Sequence, residues 1–403
     1  MPSFTRRALL TKLAIAAAPT IEDAGRHTLV VVFLRGGADT LNLVVPYADD
    51  GYYRARPTLA IKPPGSDGNS SRALRLDDHY ALHPMLEPLR QKFFEGRLSI
   101  VQAVGTDNST GSHFECQDQM EHGDAMTGPP AGGGWLGRFL RARASAKLGP
   151  LSAVAIGTTL PESLRGAPVA SVMQSLDEIA MRTPSGKPEA AAAVLAALYG
   201  ADVTMLGEQG RETLDLFKRV TELQRGSYTP SNGAQYPKDS FGDGMREIAR
   251  LIKADVGLEV ACIDLGGWDT HFFQGTTESF HAGRAKILGD GLAAFDADLK
   301  EHRARFTVMV TTEFGRRIYE NASLGTDHGR GFALMTLSNR IKGGRILGQW
   351  PSVVENESPA GPGGMKIEHD YRSVFAEVLR GAMGLRNPGA VFPGFTPAKV
   401  GLV

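Results

Sequence analysis

The chain has 403 residues, in which 44 Lys and Arg balance 44 Asp and Glu, and 42% of the residues are hydrophobic. The balanced charge gives no indication of nucleic acid or of a highly charged partner, and the length suits one large α/β domain or two smaller ones. The two cysteines, Cys116 and Cys262, lack metal-type spacing and are expected to be small buried residues.

The N-terminus resembles a twin-arginine export signal. Thr5-Arg6-Arg7-Ala8-Leu9-Leu10 precedes a short apolar segment, Leu13 to Ala18, which is too short to span a bilayer. We therefore expect residues 1–25 to be a signal read by the twin-arginine export machinery. Residues 26–403 are then one domain that acts in the periplasm or outside the cell, with no transmembrane segment. An ordinary basic N-terminus is the alternative.

Apolar runs that end in glycine or polar residues predict the strands of a parallel sheet. They cover residues 27–34, 98–105, 258–265 and 306–312, with two further strands near the sheet edge at 332–337 and 345–350. Leu288, Leu292 and Phe295 lie on one face of a helix between the runs at 258–265 and 306–312, which indicates a βαβ crossover. The predicted fold is a three-layer α/β/α sandwich with a mostly parallel central sheet and a helical insertion at about 180–240.

Carboxylates and imidazoles follow these predicted strands. They are Asp39, Asp269, His271, Glu313, Asp327 and His328. Ligands of open α/β sheets bind beyond the carboxyl ends of the strands, so we expect these side chains to share one site. Carboxylate with imidazole suits Zn, Mn or Fe, whereas oxygen-only sites suit Mg or Ca. For any single residue an exposed loop charge remains the alternative, and Asp327 would also suit a turn before Gly329.

Ser112 and Glu115 form a capping-box pattern, which predicts a helix from Ser112 to about Glu121. A hydroxyl at a helix N-terminus beyond a strand is also where a nucleophile that accepts a phosphoryl group would lie, because free N–H groups favour an anion there. Both roles stay open for Ser112. Ser109 and Thr110 lie in the same loop, and His113 would serve as a ligand or a base.

Taken together, these motifs resemble the exported bacterial family known as domain of unknown function 1501. The resemblance covers nearly the whole chain and rests on Leu-Arg-Gly-Gly-Ala-Asp39, Ser112-His-Phe-Glu-Cys-Gln-Asp118, Gly-Gly-Trp-Asp269-Thr-His271, Thr-Glu313-Phe-Gly-Arg316 and Asp327-His328-Gly. That family is similar to the alkaline phosphatase and sulfatase superfamily. The resemblance therefore implies an α/β/α sandwich with a two-metal ester hydrolase site at the carboxyl edge of the sheet.

The resemblance also implies roles for individual residues. Asp269, His271 and His328 would hold one metal, Asp39 and Glu313 a second, and Ser112 would attack. Independently of the resemblance, Arg316, or Arg35 near Asp39, would bind the anionic group through a bidentate contact. Phe314 stands where the superfamily has a histidine ligand, so His113 or Asp327 fills in, or the second metal site is weak, or catalysis is lost. Neither cysteine has the sequence context of a sulfatase nucleophile.

Two functions follow from these expectations. The first is an exported metal-dependent hydrolase of phosphate or related esters, with a small anionic ester as substrate and Zn, Mn, Mg or Ca as cofactor. The alternative is a non-catalytic periplasmic binding or assembly protein that keeps the same fold.

Overall fold

The computed structural model describes residues 27–67, 70–125, 132–143, 148–181, 183, 186, 188–348 and 363–403. The predicted signal segment, residues 1–25, lies outside the described residues and stays a prediction. Residues 349–350 of the last predicted strand lie outside them too.

The strands are numbered in chain order. They are β1 Thr28–Leu34, β2 Val44–Val45, β3 Leu74–Arg75, β4 Ala81–Leu82, β5 Leu98–Gly105, β6 Ala153–Ile156, β7 Ser171–Met173, β8 Val260–Leu265, β9 Phe306–Thr312, β10 Phe332–Ser338, β11 Arg345–Leu347 and β12 His369–Asp370. The helices are α1 Thr40–Leu43, α2 Asp50–Ala55, α3 Glu87–Phe94, α4 His113–His122, α5 Trp135–Ala142, α6 Pro188–Ala201, α7 Met205–Gln224, α8 Ser240–Lys253, α9 Phe280–Asp298 and α10 Tyr371–Met383.

The large central sheet has the order β11-β5-β10-β9-β1-β8-β6-β7, and β12 also pairs with β5. β1 lies between β8 and β9 and is parallel to both, as the predicted crossover requires. The sheet is mostly parallel, which confirms the predicted fold class. β2, β4 and β3 form a small separate sheet.

One strand differs from the expectation in both position and direction. β10 was expected near the sheet edge, but it lies between β5 and β9 and runs antiparallel to both. The connection from β9 to β10, residues 313–331, contains no helix. Parallel neighbours need a long crossover, usually helical, so a connection of this kind returns the chain as an antiparallel neighbour. β5 therefore runs in the same direction as β9.

Helices cover both faces of the sheet. Val30, Val32 and Leu34 of β1 enter one core together with residues of α3, α8 and α9. Leu29 and Val31 enter the opposite core with residues of α4, α5 and α10. Successive strand residues point to opposite faces, so a strand buried on both sides divides its apolar residues between two cores.

The helical region expected at about 180–240 contains α6 and α7. The two helices pack against each other, and α7 reaches the first core through Val220. No residue of α6 is buried. Across the described ranges, no helix combines the length and the apolar character needed to cross a membrane.

Candidate metal centre

Three imidazoles and one carboxylate meet beyond the carboxyl edge of the sheet. His113 begins α4 after β5, Asp269 and His271 follow β8, and His328 lies between β9 and β10. Because β5, β8 and β9 run in the same direction, the segments after them emerge at one edge. The chain thus brings together side chains that are more than 200 residues apart.

The four side chains share a common point. Asp269 Oδ1 lies 3.5 Å from His113 Nε2, 3.1 Å from His271 Nε2 and 3.3 Å from His328 Nε2. The Nε2 atoms of His271 and His328 are 2.9 Å apart. The ligand atoms of His113, Asp269 and His328 all lie within 4.8 Å of one another, so a single ion would contact all three. His271 Nε2 lies beside them, next to His328 Nε2.

The opposite nitrogen of each imidazole contacts a hydrogen-bond acceptor. The pairs are His113 Nδ1 with Glu313 Oε1 at 2.8 Å, His271 Nδ1 with Asp327 Oδ1 at 2.9 Å, and His328 Nδ1 with the Gly111 carbonyl oxygen at 2.7 Å. Carbonyl and carboxylate oxygens only accept, so Nδ1 carries the proton in each ring and Nε2 of the neutral ring presents a lone pair. Metal-binding histidines are held in this way, through the ring nitrogen that does not bind the metal.

The charges at this site suit a cation. Burial by itself raises the pKa of Asp269, but the hydrogen bond and charge of Arg316 outweigh burial and lower that pKa to about 2. Burial also raises the pKa of Glu313, which hydrogen bonds from His113 and Gln117 lower again. Burial lowers the pKa of His328 and favours its neutral form. Metal ligands must be deprotonated, and these shifts favour that state.

His113 differs from His328 in its electrostatics. The hydrogen bond to Glu313 raises the pKa of His113, so in the absence of a metal this ring competes for a second proton. That proton would sit on Nε2, which is buried and forms no hydrogen bond within the described part of the chain, although Asp269 Oδ1 lies 3.5 Å away. A buried nitrogen left unpaired is costly, and a metal ion would satisfy it.

The donor set fits a transition metal better than the alkaline-earth ions. Three imidazoles with one carboxylate suit Zn, Mn or Fe, whereas Mg and Ca prefer oxygen ligands. Of the metals expected from the sequence, Zn and Mn therefore match these residues best.

Asp39 lies in a different environment from the one expected. Its carboxylate is fully buried, with Oδ2 at 2.6 Å from Arg56 Nη1 and 2.5 Å from Gln274 Nε2. Burial raises the pKa of Asp39, and the charge and hydrogen bond of Arg56 outweigh burial and lower it. These contacts assign Asp39 to a buried ion pair instead of a second metal.

The turn after β1 explains this placement. Gly36 has φ +115°, and its N–H donates to Glu313 Oε1 at 2.9 Å. A Cβ at Gly36 would lie only 2.7 Å from the Asp269 nitrogen. A residue without a side chain is therefore needed at position 36, next to the centre. Asp39 lies three residues further on, and its carboxylate contacts Arg56.

Arg316 is buried and hydrogen-bonds to groups inside the protein. The buried guanidinium donates to the carbonyl oxygens of Gly37 at 2.5 Å and Thr326 at 2.8 Å, and to Asp269 Oδ1 at 2.7 Å. It also donates to the Gly36 carbonyl. Arg316 thus orients Asp269, and its contacts are those of a positioning residue instead of the substrate-binding residue we expected.

Ser112 caps α4, as the sequence predicted. Its Oγ accepts a hydrogen bond from the Glu115 N–H at 3.4 Å, and the helix begins at His113. Phe314, at the position of the expected histidine ligand, packs its buried ring against His113 and His328, with ring centroids 4.9 and 4.8 Å away. Phe314 therefore lines one side of the centre and supplies no ligand atom.

The sequence analysis did not identify three groups that support the histidines through hydrogen bonds. Gln117 donates from Nε2 to Glu313 Oε1 at 2.8 Å, Asn321 donates from Nδ2 to Asp327 Oδ1 at 2.9 Å, and Gly111 supplies a carbonyl. Gln117 lies four residues after His113 on α4, so helical spacing could have identified it. Asn321 and the Gly111 carbonyl belong to loops and carry no comparable signal.

Similarity to solved structures is weak and extends over most of the chain. The C-terminal periplasmic domain of EcEptC from Escherichia coli, in complex with Zn, is 10% identical, with 78% of this chain and 74% of that chain covered and a TM-score of 0.35. A sulfatase from Pseudoalteromonas sp. is 12% identical, with 94% and 74% covered and a TM-score of 0.38. An alkaline phosphatase from the Antarctic bacterium TAB5 is 10% identical, with 79% and 94% covered and a TM-score of 0.28. We infer no activity from TM-scores this low.

A search of curated proteins found no match. Residues 26–363 match the family model described as protein of unknown function (DUF1501). This match spans most of the chain, so the protein belongs to that family.

Proposed function

We propose that this protein is an exported metal-dependent hydrolase of phosphate or related esters, with one metal centre formed by His113, Asp269, His271 and His328. The observation that carries the proposal is the convergence of three Nε2 lone pairs on one carboxylate oxygen, at 3.1 to 3.5 Å. Imidazole nitrogens together with a carboxylate oxygen are the donor types that bind a divalent transition metal.

A divalent ion held by this set would supply a Lewis acid that stabilises negative charge on an ester under attack. The protein's own residues position the ligands. Glu313 and Asp327 hold the Nδ1 protons of His113 and His271. Arg316 fixes the Asp269 carboxylate. Such hydrogen-bonded support keeps the ligands in place before the ion binds.

The proposal has one centre, whereas the sequence suggested two. Glu313 and Asp327 hydrogen-bond to histidines that face the centre, and Asp39 pairs with Arg56. Because the Arg316 guanidinium is buried among carbonyls and Asp269, we assign binding of the anionic ester group to the ion itself. Arg6, Arg7 and the apolar segment Leu13 to Ala18 support export.

Metal analysis and ester hydrolysis together test the proposal. We expect the purified protein to bind one equivalent of Zn or Mn, and to hydrolyse an aryl phosphate or an aryl sulfate in its loaded form. Asp269→Ala and His328→Ala should lose both the metal and the activity. His302→Ala is the matched control, because His302 lies just before the start of β9 and therefore at the opposite edge of the sheet. A protein that binds no divalent metal would contradict the proposal.

A non-catalytic binding or assembly role is the second candidate. Phe314 stands at an expected ligand position, and the Arg316 and Asp39 side chains are buried in internal contacts, which favours this alternative. A stoichiometric metal without turnover of any phosphate or sulfate ester would select it.

A further inference from the structure

Four apolar side chains project into solvent beside the metal centre. Phe114 is 86% exposed, Phe272 is 70% exposed, Phe273 is 76% exposed and Leu324 is 43% exposed. Phe114 directly follows His113, and Phe272 directly follows His271, so their Cα atoms lie about 3.8 Å from those of two proposed ligands. We call Phe114, Phe272, Phe273 and Leu324 the apolar rim. Exposed apolar patches of this kind mark interaction sites more often than single exposed residues do.

Two members of the apolar rim have a strained backbone. Phe273 has φ +46° and Leu324 has φ +58°, and only five non-glycine residues in the described ranges have positive φ. This left-handed conformation is unfavourable for bulky side chains, and such strain concentrates at functional sites. Glycine or asparagine would adopt it more easily.

Backbone hydrogen bonds hold the strained residues next to the centre. The Phe273 N–H donates to the Ser323 carbonyl at 3.0 Å, and the Gln274 N–H donates to the Leu324 carbonyl at 2.9 Å. Gly325 lies so close to this segment that a Cβ there would be 2.2 Å from the His271 carbonyl oxygen. Phe273 and Leu324 are therefore fixed relative to His271. Exposed apolar surface and backbone strain both oppose folding, so neither is explained by stability.

We propose that the apolar rim binds an apolar group, an alkyl chain or aromatic ring, of the ester whose anionic group meets the metal centre. This proposal rests on the proposed function and narrows its substrate class to amphiphilic esters. The Phe272 ring centroid lies 6.4 Å from that of His271, a distance that an alkyl chain of an ester bound at the centre would span. Exposed Glu115 directly follows Phe114, and exposed Glu278 lies five residues after Phe273. These negative charges disfavour an anionic membrane surface as the occupant.

Two phosphonates that share one head group test the proposal without depending on turnover. We would titrate octylphosphonate and methylphosphonate into the Zn-loaded, full-length protein by calorimetry. The wild type should bind octylphosphonate at least about tenfold more tightly, because its chain buries apolar surface against the rim. In a Phe272→Ser, Phe273→Asn, Leu324→Asn variant that preference should fall below about threefold, while methylphosphonate binding stays unchanged.

The variants separate loss of binding from loss of folding. Asparagine tolerates positive φ, so Phe273→Asn and Leu324→Asn should keep or raise the melting temperature. Phe94→Ser is the matched control, because Phe94 is also an exposed phenylalanine but ends α3 just before β5, at the opposite edge of the sheet. His271→Ala should weaken binding of both phosphonates, since it removes a ligand of the centre.

Different outcomes separate this proposal from the proposed function. Equal affinity of the wild type for both phosphonates, or an octyl preference that survives in the rim variant, would overturn the rim as a substrate-binding surface. So would a rim variant that loses binding to anionic phospholipid vesicles but keeps the octyl preference, since the occupant is then a membrane. An octyl preference that the rim variant loses, in a protein that hydrolyses no ester, supports the rim and rejects the hydrolase.

Discussion

Glu313 illustrates what a single buried carboxylate does in this protein. Its Oε1 accepts from Gln117 and from the Gly36 N–H and contacts His113 Nδ1, and its Oε2 accepts from the Thr312 hydroxyl at 3.0 Å. A carboxylate surrounded by donors stays ionised, and an ionised acceptor fixes the orientation and basicity of the histidine. Glu313 therefore acts on the centre through His113.

Neutralising the carboxylates behind the histidines should weaken metal binding without removing a ligand. We expect Glu313→Gln and Asp327→Asn each to lower the affinity for Zn by about 10- to 100-fold, because the histidines lose a charged acceptor. Competition with a fluorescent chelator measures this affinity. Asp264→Asn is the control, since Asp264 is a partly exposed partner of Arg35. Unchanged affinity in both variants would show that these carboxylates do not support the centre.

Ser112 offers a test that separates a helix cap from a nucleophile. Its observed contact is the capping bond to Glu115, so we expect Ser112→Ala to cost about 1 kcal/mol of stability and to leave hydrolysis within a few-fold of wild type. Ser112→Asp should restore the cap and the stability. Steady-state kinetics and denaturant unfolding give the two readings. Loss of hydrolysis by several orders of magnitude in a stable Ser112→Ala protein would instead identify Ser112 as the nucleophile.

At the scale of elements, an ion cluster joins α9 to the start of β5. Asp296 of α9 is fully buried and contacts Lys92 at 2.9 Å, Arg97 Nη1 at 2.9 Å and Arg303 Nη2 at 2.6 Å. Burial raises the pKa of Asp296, but the hydrogen bonds from Arg97, Arg303 and Lys92 outweigh burial and lower it to about 2. This cluster connects α9, the helix of the predicted crossover from β8 to β9, with β5, which lies two strands beyond β9 in the sheet.

The lowered pKa of Asp296 makes part of the stability depend on pH. A carboxylate with a lowered folded-state pKa adds stability that is complete above its unfolded pKa of about 3.9 and is lost as the pH falls through its folded pKa. We expect this contribution to be on the order of 2 kcal/mol at pH 7. Denaturant unfolding from pH 7 to pH 2 should show the difference between wild type and Asp296→Asn shrinking below pH 4. A difference that stays constant with pH would contradict this assignment.

At the scale of the whole molecule, the centre joins segments from distant parts of the chain. His113, Asp269 and His328 follow three different strands of the sheet, so an ion bound to them links β5, β8 and the loop between β9 and β10. An ion that binds the folded state and not the unfolded chain adds to the free energy of unfolding. Metal binding should therefore be visible in the stability of the entire protein.

Removal of the metal should lower the stability of the loaded protein, by an amount that depends on the free Zn concentration before removal. At a free Zn concentration 100 times Kd, we expect about 2.7 kcal/mol of added stability, lost on addition of a chelator. Thermal unfolding at several Zn concentrations measures this. His328→Ala, which removes a member of the closely spaced ligand group, should respond to neither Zn nor chelator. A wild-type melting temperature that is insensitive to both would argue against a bound metal in the native state.

The sequence by itself determined the fold class and much of the candidate set. Apolar runs identified the principal strands, and the capping box placed the start of α4 one residue after Ser112. Polar residues after parallel strands predicted a shared edge for Asp269, His271 and His328, because strand direction alone sends those positions to one edge. These inferences need only local patterns and the rule that parallel strands end together.

The tertiary structure decided which of the predicted residues face the common point. Glu313 and Asp327 contact histidines, Arg316 holds Asp269, and Asp39 pairs with Arg56. These roles depend on the tight turn at Gly36 and on partners that lie tens to hundreds of residues away, which no local pattern encodes. The sequence thus determines which polar groups reach the edge of the sheet, and close packing between distant segments determines what each group touches.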